Sequence, residues 1–383
     1  MANNPTFDKP DGSVGISTPD KQRPIISGIQ QVGIGVRDVA SAWRWYNEFF
    51  GVDAIIFDER APAEYMLPYT GGKPRNRRAV LAVNLQGGGG FEIWQHRDFP
   101  PRAPEFQVLP GDYGIYACKI KCKDAAATHK LYMEKGAYVT EIYKDSQGRD
   151  YFYVKDPDGN LFQMVQVGAE GAWFAKEGKL TGGVFGAIVG CEDIEKCKAF
   201  YRDMLGYDHV CSEEEGEFKD LSQQGTPGCR FRRVLLGHGQ ARTGGFSRLL
   251  GPSEIELIQA LDRPTPVHKI FENRFWGELG FIQICYDIRN INALRDYAEA
   301  LGSPFTVDSI RQNPNFDMGD AAGHFAYNED PSGTLIEYVE TCRVPIMKKW
   351  NLFLNLQRFD ATKPLPNWLV KALRFTRKKD LPD

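Results

Sequence analysis

No stretch of about eighteen consecutive apolar residues occurs in this chain, so no membrane-spanning helix is expected. No C-x-x-C pair occurs among its eight cysteines, Cys118, Cys122, Cys191, Cys197, Cys211, Cys229, Cys285 and Cys342. Several of them sit in apolar runs such as YACKIKC and FIQICY. Reduced, buried thiols of a cytoplasmic protein are therefore expected, in place of a disulfide framework or a cysteine metal site. Neither sign of charge is in excess: 47 Lys and Arg against 50 Asp and Glu leave a net −3. That balance gives no reason to expect nucleic acid as a partner. The first 28 residues lack the apolar centre of a secretion signal and are polar and rich in Pro and Gly, which reads as a flexible arm.

What is present is ordinary in bulk and unusual in order. The 383 residues are 42% hydrophobic and 25% charged, the composition of a globular chain long enough for two domains. One phrase is written twice, YFYVKDPDGNLFQMVQ from Tyr151 and FAYNEDPSGTLIEYVE from Phe325. Each has aromatics, an Asp-Pro-x-Gly turn and an apolar strand with one central polar residue, Gln163 or Glu337. Upstream of each lies an alternating strand, a helix capped by Asp124 or Asn290, and a Gly stop at Gly136 or Gly302. Two further copies begin at Ile29 and Val184, with caps Asp38 and Asp193 and stops Gly51 and Gly206. Both continue into a strand after an Arg pair (Arg77 and Arg78, Arg232 and Arg233) and then a strand with a central Glu. The chain thus divides into four βαβββ modules, 29–97, 113–168, 184–262 and 279–342. Two domains are expected, 29–168 and 184–342. A C-terminal extension, 343–383, holds an amphipathic helix started by Pro366 that packs across the domains or on a partner. QGGGGF (Gln86–Phe91) lies between strands and opens no helix, so it reads as a hairpin turn and not as a phosphate loop.

This fourfold pattern resembles the vicinal oxygen chelate superfamily, which includes glyoxalase I, methylmalonyl-CoA epimerase, extradiol dioxygenases and bleomycin-resistance proteins. The resemblance spans about 310 residues. It implies an α+β fold in which four modules form two curled-sheet cups, each able to hold a metal through first and last strands. Seven residues before each cap, the first-strand positions are Gln31, Ala117, Gly186 and Gln283; the last-strand positions are Glu92, Gln163, Glu256 and Glu337. Period-two alternation turns Val32, Ile34 and Val36 toward the helix and Gln31, Gly33 and Gly35 into the cup. In module two it turns Tyr116, Cys118, Ile120 and Cys122 toward the helix. Ala117, Lys119 and Lys121 then face the cup, the lysines either solvated at a sheet edge or anchoring an acidic substrate.

Pairing of modules is open. Neighbours would give two mixed cups. Outer modules would gather Gln31, Glu92, Gln283 and Glu337, similar to the Gln/Glu/His/Glu set of glyoxalase I with Gln in place of His, and leave Ala117, Gln163, Gly186 and Glu256 in a retired cup. The expected metal ligands are Gln31, Glu92, Gln283 and Glu337. This all-oxygen set suits Mg²⁺, Mn²⁺ or Ca²⁺ better than Zn²⁺ or Fe²⁺. Glu337 and Glu92 are the expected proton-transfer groups, with His96 and His324 as nearby shuttles. Arg77 or Arg78 could instead pair with Glu92, and Arg232 or Arg233 with Glu256, as structural ion pairs across the sheet. Trp94 and Tyr153 are candidates for aromatic pocket walls.

The resemblance implies a metal-dependent lyase or isomerase acting on a small oxygenated substrate. A metal-free binding protein of the bleomycin-resistance type and an atypical ring-cleaving dioxygenase are the alternatives. The last needs iron held by two His and a carboxylate, and no expected ligand position carries a histidine. A monomer or homodimer is expected.

Overall fold

The structure is a computed structural model that describes residues 24–168, 172–313, 323–347 and 352–382. The arm expected over 1–28 lies outside the described residues up to 23; from Ile25 onward the chain is already strand. Module one comprises β1 (Ile25–Gly35), α1 (Val39–Phe50), β2 (Ala54–Pro62), β3 (Asn76–Val83) and β4 (Gly90–His96). Module two comprises β5 (Gly114–Cys122), α2 (Ala125–Glu134), β6 (Tyr143–Lys144), β7 (Asp150–Lys155) and β8 (Leu161–Gln166). Module three comprises β9 (Thr181–Gly190), α3 (Ile194–Leu205), β10 (His209–Glu217), the short α4 (Lys219–Gln223), β11 (Arg230–Gly237), the short α5 (Ser247–Leu250) and β12 (Glu254–Ala260). Module four comprises β13 (Gly280–Arg289), α6 (Ile291–Ala300), β14 (Val307–Asp308), the short α7 (Ser309–Gln312), β15 (Gly323–Glu329) and β16 (Leu335–Thr341).

The repeated punctuation has a repeated cause. The side chains of Asp38, Asp124, Asp193 and Asn290 each accept from backbone N–H groups in the first turn of their helix, satisfying donors with no helical partner. Gly51 and Gly206 close α1 and α3 in the left-handed region, at φ 67° and 69°.

The strands form two eight-stranded sheets, ordered β14-β15-β16-β13-β1-β4-β3-β2 and β10-β11-β12-β9-β5-β8-β7-β6. Modules one and four share the first sheet through the antiparallel pair β1–β13, and modules two and three share the second through β5–β9. Each sequence half, 29–168 and 184–342, therefore contributes one module to each sheet, and the sheets cut across the division into halves. The helix-facing sides of both sheets merge in one core that includes Val32, Ile34, Trp43, Phe50, Phe91, Phe162, Met164 and Ile284. The other sides form an outer cup (modules one and four) and an inner cup (modules two and three).

QGGGGF is a turn, and it is also the seam between the sheets. Gly89 and Val184 exchange backbone hydrogen bonds of 2.7 and 2.9 Å, and a Cβ on Gly88 would sit 2.8 Å from the Gly183 backbone. Only glycine lets the two chains approach this closely. The alternation expected for β5 fails at one residue. A register shift between Ile115 and Ala117 sends Tyr116 to the inner-cup aromatic cluster while Cys118, Ile120 and Cys122 stay in the core.

The C-terminal extension adds the ribbon β17 (Arg343–Met347) and β18 (Leu352–Asn355), then α8 (Asn367–Lys371) capped at Pro366. Leu365, Leu369 and Val370 pack with Ala54 and Leu81 of module one and Leu249 of module three. The extension thus straps the modules together, as its amphipathic pattern suggests. No helix among the described residues is long and apolar enough to cross a membrane.

Candidate functional site

The outer cup is built by two equivalent strand pairs. In β1 and β4 the parallel register sets Glu92 opposite Gly33, two residues beyond Gln31. In β13 and β16 it sets Glu337 opposite Cys285, two residues beyond Gln283. The antiparallel seam then brings Gly33 opposite Gln283, so all four side chains converge. Gln31 Nε2 donates to Glu92 Oε2 at 3.2 Å. Gln283 Nε2 donates to the same oxygen at 3.1 Å and to Glu337 Oε2 at 3.3 Å. Trp94 Nε1 holds the other Glu92 oxygen at 3.0 Å, and Trp276 Nε1 holds Gln283 Oε1 at 3.2 Å. Gln31, Glu92, Gln283 and Glu337 are 3, 8, 0 and 6% exposed, so the carboxyls lie together out of bulk water.

Burial raises both carboxyls, and proximity adds to it at Glu337. Glu337 is pushed up to about 8 by burial and by the neighbouring Glu92, against hydrogen bonds from Tyr327, Cys285 and Gln283. Glu92 is also raised by burial, opposed by the Trp94 hydrogen bond and by Arg77. Two buried carboxyls without a cation between them cannot both be ionised cheaply. The arrangement fits a divalent cation: two carboxylates supply charge, and two amide groups supply oxygens. One of those oxygens, Gln31 Oε1, is buried and has no hydrogen-bond partner. Among the described residues no group of three or more His, Cys, Asp or Glu is placed to hold a metal. The outer set therefore depends on its amides.

Gly33 keeps the quartet open. A Cβ there would lie 2.5 Å from the Gln283 amide. Gly33→Ala is expected to displace Gln283 and weaken divalent-ion binding at least tenfold while the circular dichroism spectrum is retained. Unchanged ion affinity in the variant would contradict that role.

The expected histidines stand apart from the quartet. His96 shares the cup face of β4 but lies four residues beyond Glu92, about 13 Å along the strand. Its Nε2 meets the Trp276 carbonyl oxygen at 3.1 Å, so Nε2 carries the proton, and burial pushes its pKa down. His324 has the strand parity of Ala326, which is in the helix-side core, whereas Tyr327 faces the cup. It therefore points away from the quartet. The structure thus does not bring either histidine into the hydrogen-bonded quartet.

The Arg pairs behave differently in the two cups. Arg77 pairs with Glu59 and lies 5.2 Å over the Trp94 ring, and Arg78 pairs with Asp58, so neither pairs with Glu92. Arg233 does pair with Glu256. In the inner cup Lys119 Nζ bridges Glu254 (2.6 Å) and Glu256 (2.9 Å), while Arg233 also reaches Asp220 (2.9 Å) and Arg149 reaches Glu254 (2.9 Å). Burial alone would raise Glu256, but Arg233 and Lys119 outweigh it and hold its pKa near 2. Ala117 and Gly186 offer no ligand atoms, and Gln163 Nε2 donates to Tyr153. The inner cup is an ion-pair network in place of a metal set. Lys119 and Lys121 are both buried and not solvated at an edge. Lys121 Nζ donates to the Ala172 carbonyl and lies 5.3 Å from the Trp173 ring centre, and burial pulls its pKa down to about 7.

Three participants escaped the sequence reading. Trp276, on the segment between modules three and four, covers the quartet, its ring centre 4.0 Å from Trp94 and 6.1 Å from Tyr327. Its own N–H donates to the Tyr69 carbonyl at 3.0 Å. Cys285 lies in β13 beside Glu337 and was legible only as an apolar-run thiol. Tyr327 appeared in the turn motif, but its hydrogen bond to Glu337 follows from the antiparallel register of β15 and β16.

Two cups of curled βαβββ sheet, with polar side chains paired on first and last strands, define the vicinal oxygen chelate fold. Residues 28–164 match the family model described as the Glyoxalase/Bleomycin resistance protein/Dioxygenase superfamily, which agrees with the resemblance seen in the repeats. Glyoxalase I from Zea mays superposes with a TM-score of 0.50 at 13% identity, covering 82% of this chain and 92% of that one. A putative dioxygenase from Bacillus subtilis gives 0.52 at 15% identity, covering 83% and 86%. At these identities the likeness is one of fold. No curated protein sequence matches the chain.

Proposed function

We propose that the outer cup is the active site of a divalent-metal-dependent lyase or isomerase that acts on a small carbonyl or otherwise enolisable substrate. The observation that carries this reading is the convergence of Gln31, Glu92, Gln283 and Glu337 in one buried, hydrogen-bonded quartet, where burial and the neighbouring Glu92 favour the protonated form of Glu337. A bound Mg²⁺, Mn²⁺ or Ca²⁺ would supply polarisation of the substrate oxygen. Gln31, Glu92, Gln283 and Glu337 would hold it through oxygen atoms. Glu337 would also give and take the proton at the adjacent carbon. Trp94 Nε1–H fixes Glu92, and Trp276 excludes water from the quartet. A ring-cleaving oxygenase finds no imidazole among these four side chains. Metal-free binding of a small molecule is favoured by a separate feature, the open inner cup.

The test is exchange of solvent deuterium into small α-hydroxy ketones and α-oxo acids, followed by NMR with Mg²⁺ or Mn²⁺ present. Wild type is expected to catalyse exchange into at least one of them, and Glu337→Gln to lose roughly 10²–10⁴-fold of that rate. Equal rates in both proteins would exclude Glu337 from the chemistry.

A further inference from the structure

The inner cup has lost its ligand set but not its hollow. A cavity of about 470 Å³ opens over it, a size ordinary for small-molecule sites. Lys119, Arg233, Glu256 and Asp220 lie at its base, and Tyr143, Tyr151 and Phe218 line its wall. Tyr143 and Tyr151 have ring centres 5.5 Å apart, and the Arg233 guanidinium lies 4.8 Å from the Phe218 ring centre.

The base has a surplus of donors. Both Glu256 oxygens already accept, one from Lys119 and one from Arg233. Both Asp220 oxygens also accept, one from Arg233 and one from Tyr153. An ammonium carries three N–H donors and a guanidinium five. Lys119 uses two of its three, on Glu254 and Glu256. Arg233 uses three of its five, from Nε and Nη2 to Glu256 and from Nη1 to Asp220. Three N–H groups remain on buried cations. The cavity and its network together hold five cations (Lys119, Lys144, Arg149, Lys219 and Arg233) against six carboxylates (Asp145, Glu214, Glu217, Asp220, Glu254 and Glu256), so an added anion is held by the directed spare N–H groups and not by net charge.

From this geometry we propose that the inner cup is a second, metal-independent binding site for aromatic carboxylic acids. The carboxylate takes the spare N–H groups of Lys119 and Arg233, and the ring lies against Tyr143, Tyr151 and Phe218. The site does not depend on the chemistry assigned to the outer cup.

Calorimetry on the full chain with 3-phenylpropionate and its primary amide tests the proposal. The acid is expected to bind once per chain, equally with EDTA or Mg²⁺ and equally in Glu337→Gln. The amide is expected to bind at least tenfold more weakly, because charged hydrogen bonds are the stronger ones. Leu235→Trp, which fills the cavity, is expected to weaken the acid at least tenfold. Should that variant fail to fold, the acid–amide comparison in wild type decides. Absence of saturable binding at millimolar acid, equal binding of acid and amide, or loss of binding in Glu337→Gln would each overturn the assignment.

Discussion

Lys119→Met is expected to destabilise the protein by roughly 3–5 kcal/mol, the range seen when one partner of a buried ion pair is removed. Lys119 is 2% exposed and bridges Glu254 and Glu256, 7 and 5% exposed. Its removal leaves four carboxylate oxygens to Arg149 and Arg233, which already bond to Asp145 and Asp220 as well. Urea unfolding monitored by tryptophan fluorescence reads the loss. A change under about 1 kcal/mol, the usual worth of an exposed pair, would show that the network is solvated and not an inner-cup scaffold.

Glu337→Gln is expected to act in the opposite sense on the metal-free protein. In the fold Glu337 keeps its proton up to about pH 8, while its ordinary value is 4.5. Unfolding between those values releases a proton. Stability from this group is therefore complete below about pH 4.5 and is lost as pH rises through 8. Asp330, raised to about 6, and Asp287, raised to about 7, both mainly by burial, slope the same way. In EDTA the wild type should lose stability from pH 5 to pH 8. The variant should match it at pH 5 and exceed it at pH 8 by on the order of 3 kcal/mol. Divalent ion should restore the wild type at pH 8 and leave the variant unchanged. Parallel stability curves for the two proteins across this range would show that Glu337 is not held protonated.

The modules were legible because their signals are local. A cap, a Gly stop and an Asp-Pro-x-Gly turn each act within a few residues, so all four copies read correctly. The cup-facing positions were legible because strand alternation is strict wherever no bulge intervenes; at Ile115–Ala117 one does, and Tyr116 changed sides. Pairing of the modules was not legible. It is decided by β1 meeting β13 and β5 meeting β9, edges far apart in sequence, helped by the close passage of Gly88 and Gly89 against Gly183 and Val184. Arg233 could be proposed as a partner for Glu256 because the strands are neighbours. Lys119 could not, because it reaches Glu256 from another module across the β5–β9 seam. Trp276 carried no periodic signal at all, since it comes from a connecting segment that crosses the outer cup.

The central claim is that Gln31, Glu92, Gln283 and Glu337 hold one divalent cation. The most direct measurement is elemental mass spectrometry of the full chain, purified without a histidine tag and equilibrated with Mg²⁺, Mn²⁺ and Ca²⁺, beside Glu337→Gln treated alike. One ion per chain in the wild type and none in the variant is the predicted result. No ion in either protein, or the same ion content in both, would contradict it.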